Sequence, residues 1–197
     1  MDYHVTDQER DAYRRDGAVP LRGVVDGDWL EILEAGVERD ISEPGPFFHG
    51  YVPDNGVGKF HGNIRLWEND SELGRFCTSG PLVSVAAQLF ESSKVNLFYD
   101  QLFVKEQGTE NRTRWHNDLP YWPIRGSQIM SFWVALDDVT LDSGALEFLK
   151  ASHLADIWYQ PETFGKTSGH GEYERNPDYV DMPDIEATRN DYEILTW

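Results

Sequence analysis

Apolar residues recur at helical spacing in the first half of the chain and at strand-like spacing in the second. Trp29, Leu33, Val37 and Ile41 mark one face of a helix beginning near Asp28. Leu82, Val85, Ala86, Leu89 and Phe90 give another helix its apolar side, with Pro81 in its first turn after Gly80. Between these two, Asn69 or Asp70 caps a helix running through Cys77. Thr6-Asp7-Gln8-Glu9 has the form of a capping box, which predicts a short first helix ending at Gly17. Residues 18–25 read as a short strand with a turn, and 44–63, rich in Gly, Pro and aromatics, as an ordered loop.

The character changes near residue 95. Residues 95–105 are β-rich and partly alternating, 127–136 and 145–149 predict further strands, and 192–197 the start of a fourth. Residues 158–183 are polar with scattered Gly and Pro, as in a long loop or insertion. Helices followed by strands predict an α+β fold, with N-terminal helices packed on an antiparallel sheet. The whole of 1–197 reads as one domain, mainly helical over 1–93 and sheet-forming over 94–197. A sheet of three or four strands ending at Trp197 has a bare edge, so the expectation is a chain that lacks its final strands.

Composition narrows the classes. With 197 residues, 40% hydrophobic and 13% aromatic, the chain can build a core. No apolar run is long enough to span a bilayer, and the first residues lack a signal-peptide pattern. The single Cys77 cannot form an internal disulfide, which favours a reducing cytoplasm and an inert, buried thiol. A formal charge of −18 repels phosphate backbones, so nucleic acid is a poor partner, and a polyanionic thioester is disfavoured as substrate.

The candidate chemistry lies in His116-Asn117-Asp118. Two residues apart on an extended segment, a histidine and a carboxylate point to the same side and can take adjacent positions on one metal ion. A later histidine would complete the two-His-one-carboxylate face that holds non-heme Fe(II) with open positions. Gly56-Val57-Gly58-Lys59 lacks the spacing of a phosphate loop, and Asp137, Asp138 and Asp142 lack that of a calcium loop.

The run Trp115-His116-Asn117-Asp118-Leu119-Pro120-Tyr121-Trp122 resembles the phytanoyl-CoA dioxygenase family. Trp133-Val134-Ala135-Leu136-Asp137-Asp138, Gly144-Ala145-Leu146-Glu147-Phe148 and Ser152-His153 carry the resemblance further, as do Asp100-Gln101-Leu102-Phe103 and Lys105. It is specific over about 96–153. The resemblance implies a double-stranded β-helix, a form of the jelly roll, with Fe(II) as metal and 2-oxoglutarate as co-substrate. It also implies O2 as oxidant and hydroxylation of a small molecule with release of succinate and CO2. His116 and Asp118 would be iron ligands. In halogenases of this superfamily a small residue replaces the carboxylate, so Asp118 points to hydroxylation or a related oxidation.

Other residues carry open alternatives. Trp133 matches a family position near 2-oxoglutarate, and core packing explains it equally. Gln101, Phe103 and Lys105 share one strand face and are candidates to reach co-substrate or substrate, with packing or surface roles as alternatives. Thr113 is a candidate donor to a carboxylate, and His61, near Arg65, a candidate substrate contact. The family's distal histidine, followed about ten residues later by an Arg that grips 2-oxoglutarate, has no counterpart before Trp197. His170 is the available substitute as third ligand, although Arg175 lies too close to it to serve as that anchor. His153 reads as a structural, hydrogen-bonded histidine. The rival readings are a truncated, inactive relative or binding module that keeps the fold, and a jelly roll with structural iron or zinc.

Overall fold

The computed structural model describes residues 3–51, 56–109, 113–162 and 173–197. Its contacts gather into two units: 1–7, 21–110 and 132–138 form the first, and 8–20, 111–131 and 139–197 the second. Strand-forming residues after 94 therefore belong partly with the helices.

The first unit contains α2 (Gly27–Ser42), α3 (Ser71–Ser79) and α4 (Pro81–Phe90) and a three-stranded antiparallel sheet. The sheet runs β1 (His49–Tyr51), β2 (Phe60–Ile64), β3 (Gln101–Lys105) in that order. Its helices begin where capping chemistry puts them. The Asp26 side chain accepts from the Trp29 amide to start α2, and Asp70 accepts from the Glu72 and Leu73 amides to start α3. Pro81 opens α4, where its missing N–H costs nothing.

Leu33 from α2, Leu73 and Phe76 from α3, and Leu66 form a buried cluster, against which Trp29, Leu82, Leu102, Val134 and Leu136 pack. Each such leucine, fully buried, contributes about 1.5–3 kcal/mol. Gly36 allows α2 and α3 to approach: a Cβ there would lie 2.6 Å from Leu73 Cδ2. Cys77 packs against the same cluster, and burial pushes its thiol up to about 12. Val5 and Val85 are fully buried, and the Gln88 side chain accepts from the Val5 amide while donating to the Tyr3 carbonyl.

The sheet corrects the ordered-loop reading of 44–63. Both β1 and β2 lie in that stretch, paired His49 to Gly62 and Tyr51 to Phe60. Glycine weakens the strand signal, yet Gly62 suits its place, because a Cβ there would meet the His49 backbone carbonyl oxygen at 2.9 Å. The 127–136 strand is also corrected. Those residues form no ladder, although Val134 and Leu136 still bury their side chains. In 18–25 the expected turn is present at Arg22 and Gly23, but no strand forms.

The second unit contains α1 from residue 8 onward (α1 spans Asp7–Asp16) and a two-stranded antiparallel pair, β4 (Phe148–Leu149) with β5 (Ile194–Leu195). The strands predicted over 145–149 and 192–197 are therefore present but short. Elsewhere the described backbone is irregular, with short 3-10 turns at Leu119–Tyr121, Leu141–Ser143, Ser152–Ala155 and Arg189–Asp191. Gln160, 4% exposed, binds the Asn176 and Tyr179 carbonyls through Nε2 and accepts from the Asn176 amide through Oε1. Among the described residues no helix is long and apolar enough to cross a membrane.

Candidate metal centre

His116 and Asp118 lie in the second unit on an irregular segment, not on the extended strand their spacing suggests. Asp118 is already helical in φ and ψ and precedes the 3-10 turn opened by Leu119 and Pro120. The two side chains nevertheless converge, with His116 Nε2 3.0 Å from Asp118 Oδ1.

The segment is pinned on both sides of the pair. Arg114 donates to Glu162 at 2.8 Å, Trp115 Nε1 to Glu186 at 2.8 Å, and the Tyr159 amide to Asn117 Oδ1 at 3.3 Å. The Tyr121 hydroxyl donates to the Glu162 carbonyl and accepts from the Glu162 amide, and its ring meets the His116 ring edge-on at 5.8 Å. These bonds hold Trp115 and Asn117 while His116 and Asp118 meet each other.

The hydrogen bonds also set the chemistry of the pair. His116 Nδ1 lies 2.6 Å from the Arg114 carbonyl, an acceptor, so Nδ1 carries the proton. In the neutral ring Nε2 then presents a lone pair toward a carboxylate oxygen. Two acceptors this close require a proton or a cation between them. Burial lowers the His116 pKa, but the bonds to Asp118 and the Arg114 carbonyl outweigh it and raise the value above 6.5. Burial likewise raises the Asp118 pKa, and the His116 contact with the Ser131 bond outweighs it, leaving the value below 3.8. Ser131 Oγ donates to Asp118 Oδ2 at 3.1 Å and leaves Oδ1 facing His116. Nothing in the sequence singled out Ser131, because its role depends on a chain reversal thirteen residues long.

This donor set fits two adjacent positions on a divalent metal, an imidazole nitrogen with its other N–H anchored and a carboxylate held by a hydroxyl. Among the described residues no group of three His, Cys, Asp or Glu side chains converges. His170 lies outside the described residues. His153 Nε2 is bonded to the Arg14 carbonyl at 3.1 Å, and its ring lies against Gly17.

The remaining candidates divide between the units. Thr113 is exposed and precedes the pair by three residues. Gln101, Phe103 and Lys105 lie in the first unit on one exposed face of β3, where Phe103, 53% exposed, stacks on Phe60 at 6.0 Å. His61 pairs in register with Val104 and so occupies the opposite face from Phe103. The two proposed substrate contacts therefore do not share a face. Trp133 is 47% exposed, so core packing does not account for it.

No curated protein matches the chain. Two solved structures share its fold. One is the epimerase SnoN in complex with Fe3+, alpha-ketoglutarate and nogalamycin RO, with a TM-score of 0.67 and 21% identity over 97% of this chain and 69% of that one. The other is the non-heme alpha-ketoglutarate-dependent epimerase SnoN from nogalamycin biosynthesis, with a TM-score of 0.63 and 19% identity over 97% and 68%. The mixed helices and antiparallel sheets match those neighbours. A match to phytanoyl-CoA dioxygenase (PhyH) covers residues 13–191, and the chain belongs to that family, whose members use Fe(II) and 2-oxoglutarate.

Proposed function

We propose that this protein is an Fe(II)/2-oxoglutarate-dependent hydroxylase of a small molecule, built on a jelly-roll framework, with His116 and Asp118 as two of its iron ligands. The observation that carries the reading is the convergence of His116 Nε2 and Asp118 Oδ1 at 3.0 Å while His116 Nδ1 is committed to the Arg114 carbonyl. With iron, 2-oxoglutarate and O2 bound, the site supplies an oxidant that places one oxygen atom on substrate carbon, with succinate and CO2 as coproducts. In the neutral ring the Arg114 carbonyl holds the proton on Nδ1 and so leaves the Nε2 lone pair to the metal, and Ser131 holds the carboxylate in orientation. Thr113, which lies in the same unit as the pair, is the proposed co-substrate contact. A small-molecule substrate agrees with an acidic chain that repels nucleic acid.

Anaerobic addition of Fe(II) and then 2-oxoglutarate tests this. The expected result is a visible metal-to-ligand charge-transfer band that is lost in His116→Ala. No band from a folded sample overturns hydroxylation by this chain and leaves a relative that keeps the fold without catalysis. Once a substrate is found, product mass separates two outcomes. A hydroxylated product gains one oxygen atom, whereas the epimer that an epimerase such as SnoN would make keeps its mass.

A further inference from the structure

The face of the sheet that carries His61 opens a cavity within the first unit. It has a volume of about 340 Å³, at the small end of the range for small-molecule sites. Ile41, Phe48 and Val104 supply apolar walls, and His61, Lys59 and Glu106 the polar groups.

His61 is held as a reactive or recognising histidine would be. Its Nε2 donates to Asp40 Oδ2 at 2.7 Å, and the other Asp40 oxygen accepts from Asn63 Nδ2 at 2.8 Å. Both side chains of the His61–Asp40 pair are largely buried, and Asn63 is 2% exposed. The ring lies against Phe48 with centroids 4.9 Å apart. Because Nε2 carries the proton, Nδ1 is the acceptor of the neutral ring, and it has no protein partner among the described residues.

Lys59 and Glu106 flank the same cavity one pair further along the two strands. The Glu106 amide donates to the Lys59 carbonyl at 3.0 Å, which places the residues opposite each other in register. Their charges nevertheless form no ion pair, with each other or elsewhere, among the described residues. Lys59 immediately precedes β2, two residues before His61, so their backbones are roughly 6.7 Å apart. One cation and one anion, an apolar wall and a fixed acceptor thus follow one another along a single strand face.

We propose that this cavity binds a small zwitterion, an α-amino acid with an aromatic side chain ending in a hydrogen-bond donor, of which tyrosine is the type. Its carboxylate meets Lys59, its ammonium meets Glu106, its ring lies against Phe48, Ile41 and Val104, and its hydroxyl donates to His61 Nδ1. Lys59 also supplies the local positive charge that an anionic group needs against a net charge of −18.

The test is titration of the metal-free full chain with L-tyrosine, followed by NMR with His61 ring nitrogens observed. Saturable binding with a shift at Nδ1 is expected. L-phenylalanine, which lacks the donor, and tyramine, which lacks the carboxylate, should each bind about tenfold more weakly. Lys59→Ala, an exposed change that spares the fold, should weaken tyrosine about tenfold and leave tyramine unaffected. No saturable binding at millimolar tyrosine overturns the proposal, as does equal binding of all three compounds. Neither outcome involves iron or 2-oxoglutarate, so the result is independent of the proposed hydroxylation.

Discussion

The two units of this chain are stabilised by different means. In the first, eight apolar side chains are buried among the described residues, and four of them, Leu33, Leu66, Leu73 and Phe76, pack into one cluster. In the second, Ile185 and Pro161 are the buried apolar side chains among the described residues, and polar contacts hold much of the rest. Those contacts are Arg114–Glu162, Trp115–Glu186, Arg189–Glu147, Lys150–Glu193 at 2.6 Å and the buried Gln160 amide. Apolar burial is worth kilocalories per side chain, whereas exposed ion pairs are worth about 0–1 kcal/mol and weaken with salt. The candidate metal centre is in the unit with the weaker means. Its geometry depends on directional bonds, which position atoms well but stabilise little.

That contrast can be broken in several ways. The largest expected effect is on function alone. His116→Ala should abolish the charge-transfer band while denaturant midpoints of the first unit stay within about 0.5 kcal/mol of the parent, as for other surface changes. A large loss of stability would show that the pair also supports the fold. Next, Leu73→Ala should cost about 2–5 kcal/mol in urea unfolding, because it opens a cavity where Gly36 and Leu73 meet. A loss below 1 kcal/mol would mean that the helical cluster is not the main source of stability.

Asp70 gives a smaller and pH-dependent effect. Its hydrogen bond to Arg39 leads the causes that hold its pKa below 3.8, against opposing burial, and it caps α3. A depressed carboxylate pKa adds stability above the unfolded value, and that stability is lost as pH falls below about 4 through the folded value. Asp70→Asn should therefore flatten the acid limb of the stability curve and cost a fraction of the ~0.5–2 kcal/mol of a lost cap, since Asn also caps helices. An unchanged acid limb would remove Asp70 from the account.

The smallest effect belongs to the polar unit. Glu162→Gln should cost less than about 1 kcal/mol globally, yet speed amide exchange in residues 114–121, where Arg114 loses its partner. Raised salt should do the same to the parent. Equal protection of both units at all salt concentrations would erase the distinction between them. Cys77 reports on the first unit directly. With its thiol at about 12, alkylation at pH 8 should be slow until that unit opens.

What sequence made legible follows the same division. The helices announced themselves because their signals are local: Asp70 and Pro81 cap or open them, and apolar residues repeat every three or four positions. The strands were less legible. Gly50 and Gly62 weaken β1 and β2, although close cross-strand contacts demand small residues there. Residues 127–136 read as a strand but form no ladder among the described residues, since a ladder requires a neighbour that no local pattern guarantees. The family was legible in the run from Trp115 to Trp122, because ligand chemistry constrains adjacent residues tightly.

By itself, then, the sequence determined the helix boundaries, the acidic surface, the single inert thiol and the His116–Asp118 pair, all of which depend on residues near one another in the chain. Only the tertiary structure decided what those residues meet. It brought Ser131 to Asp118, the Arg114 carbonyl to His116 Nδ1, and Asp40 to His61 from twenty-one positions away. It also turned His61 away from Phe103, because strand register, fixed by partners elsewhere in the chain, decides which face a side chain occupies.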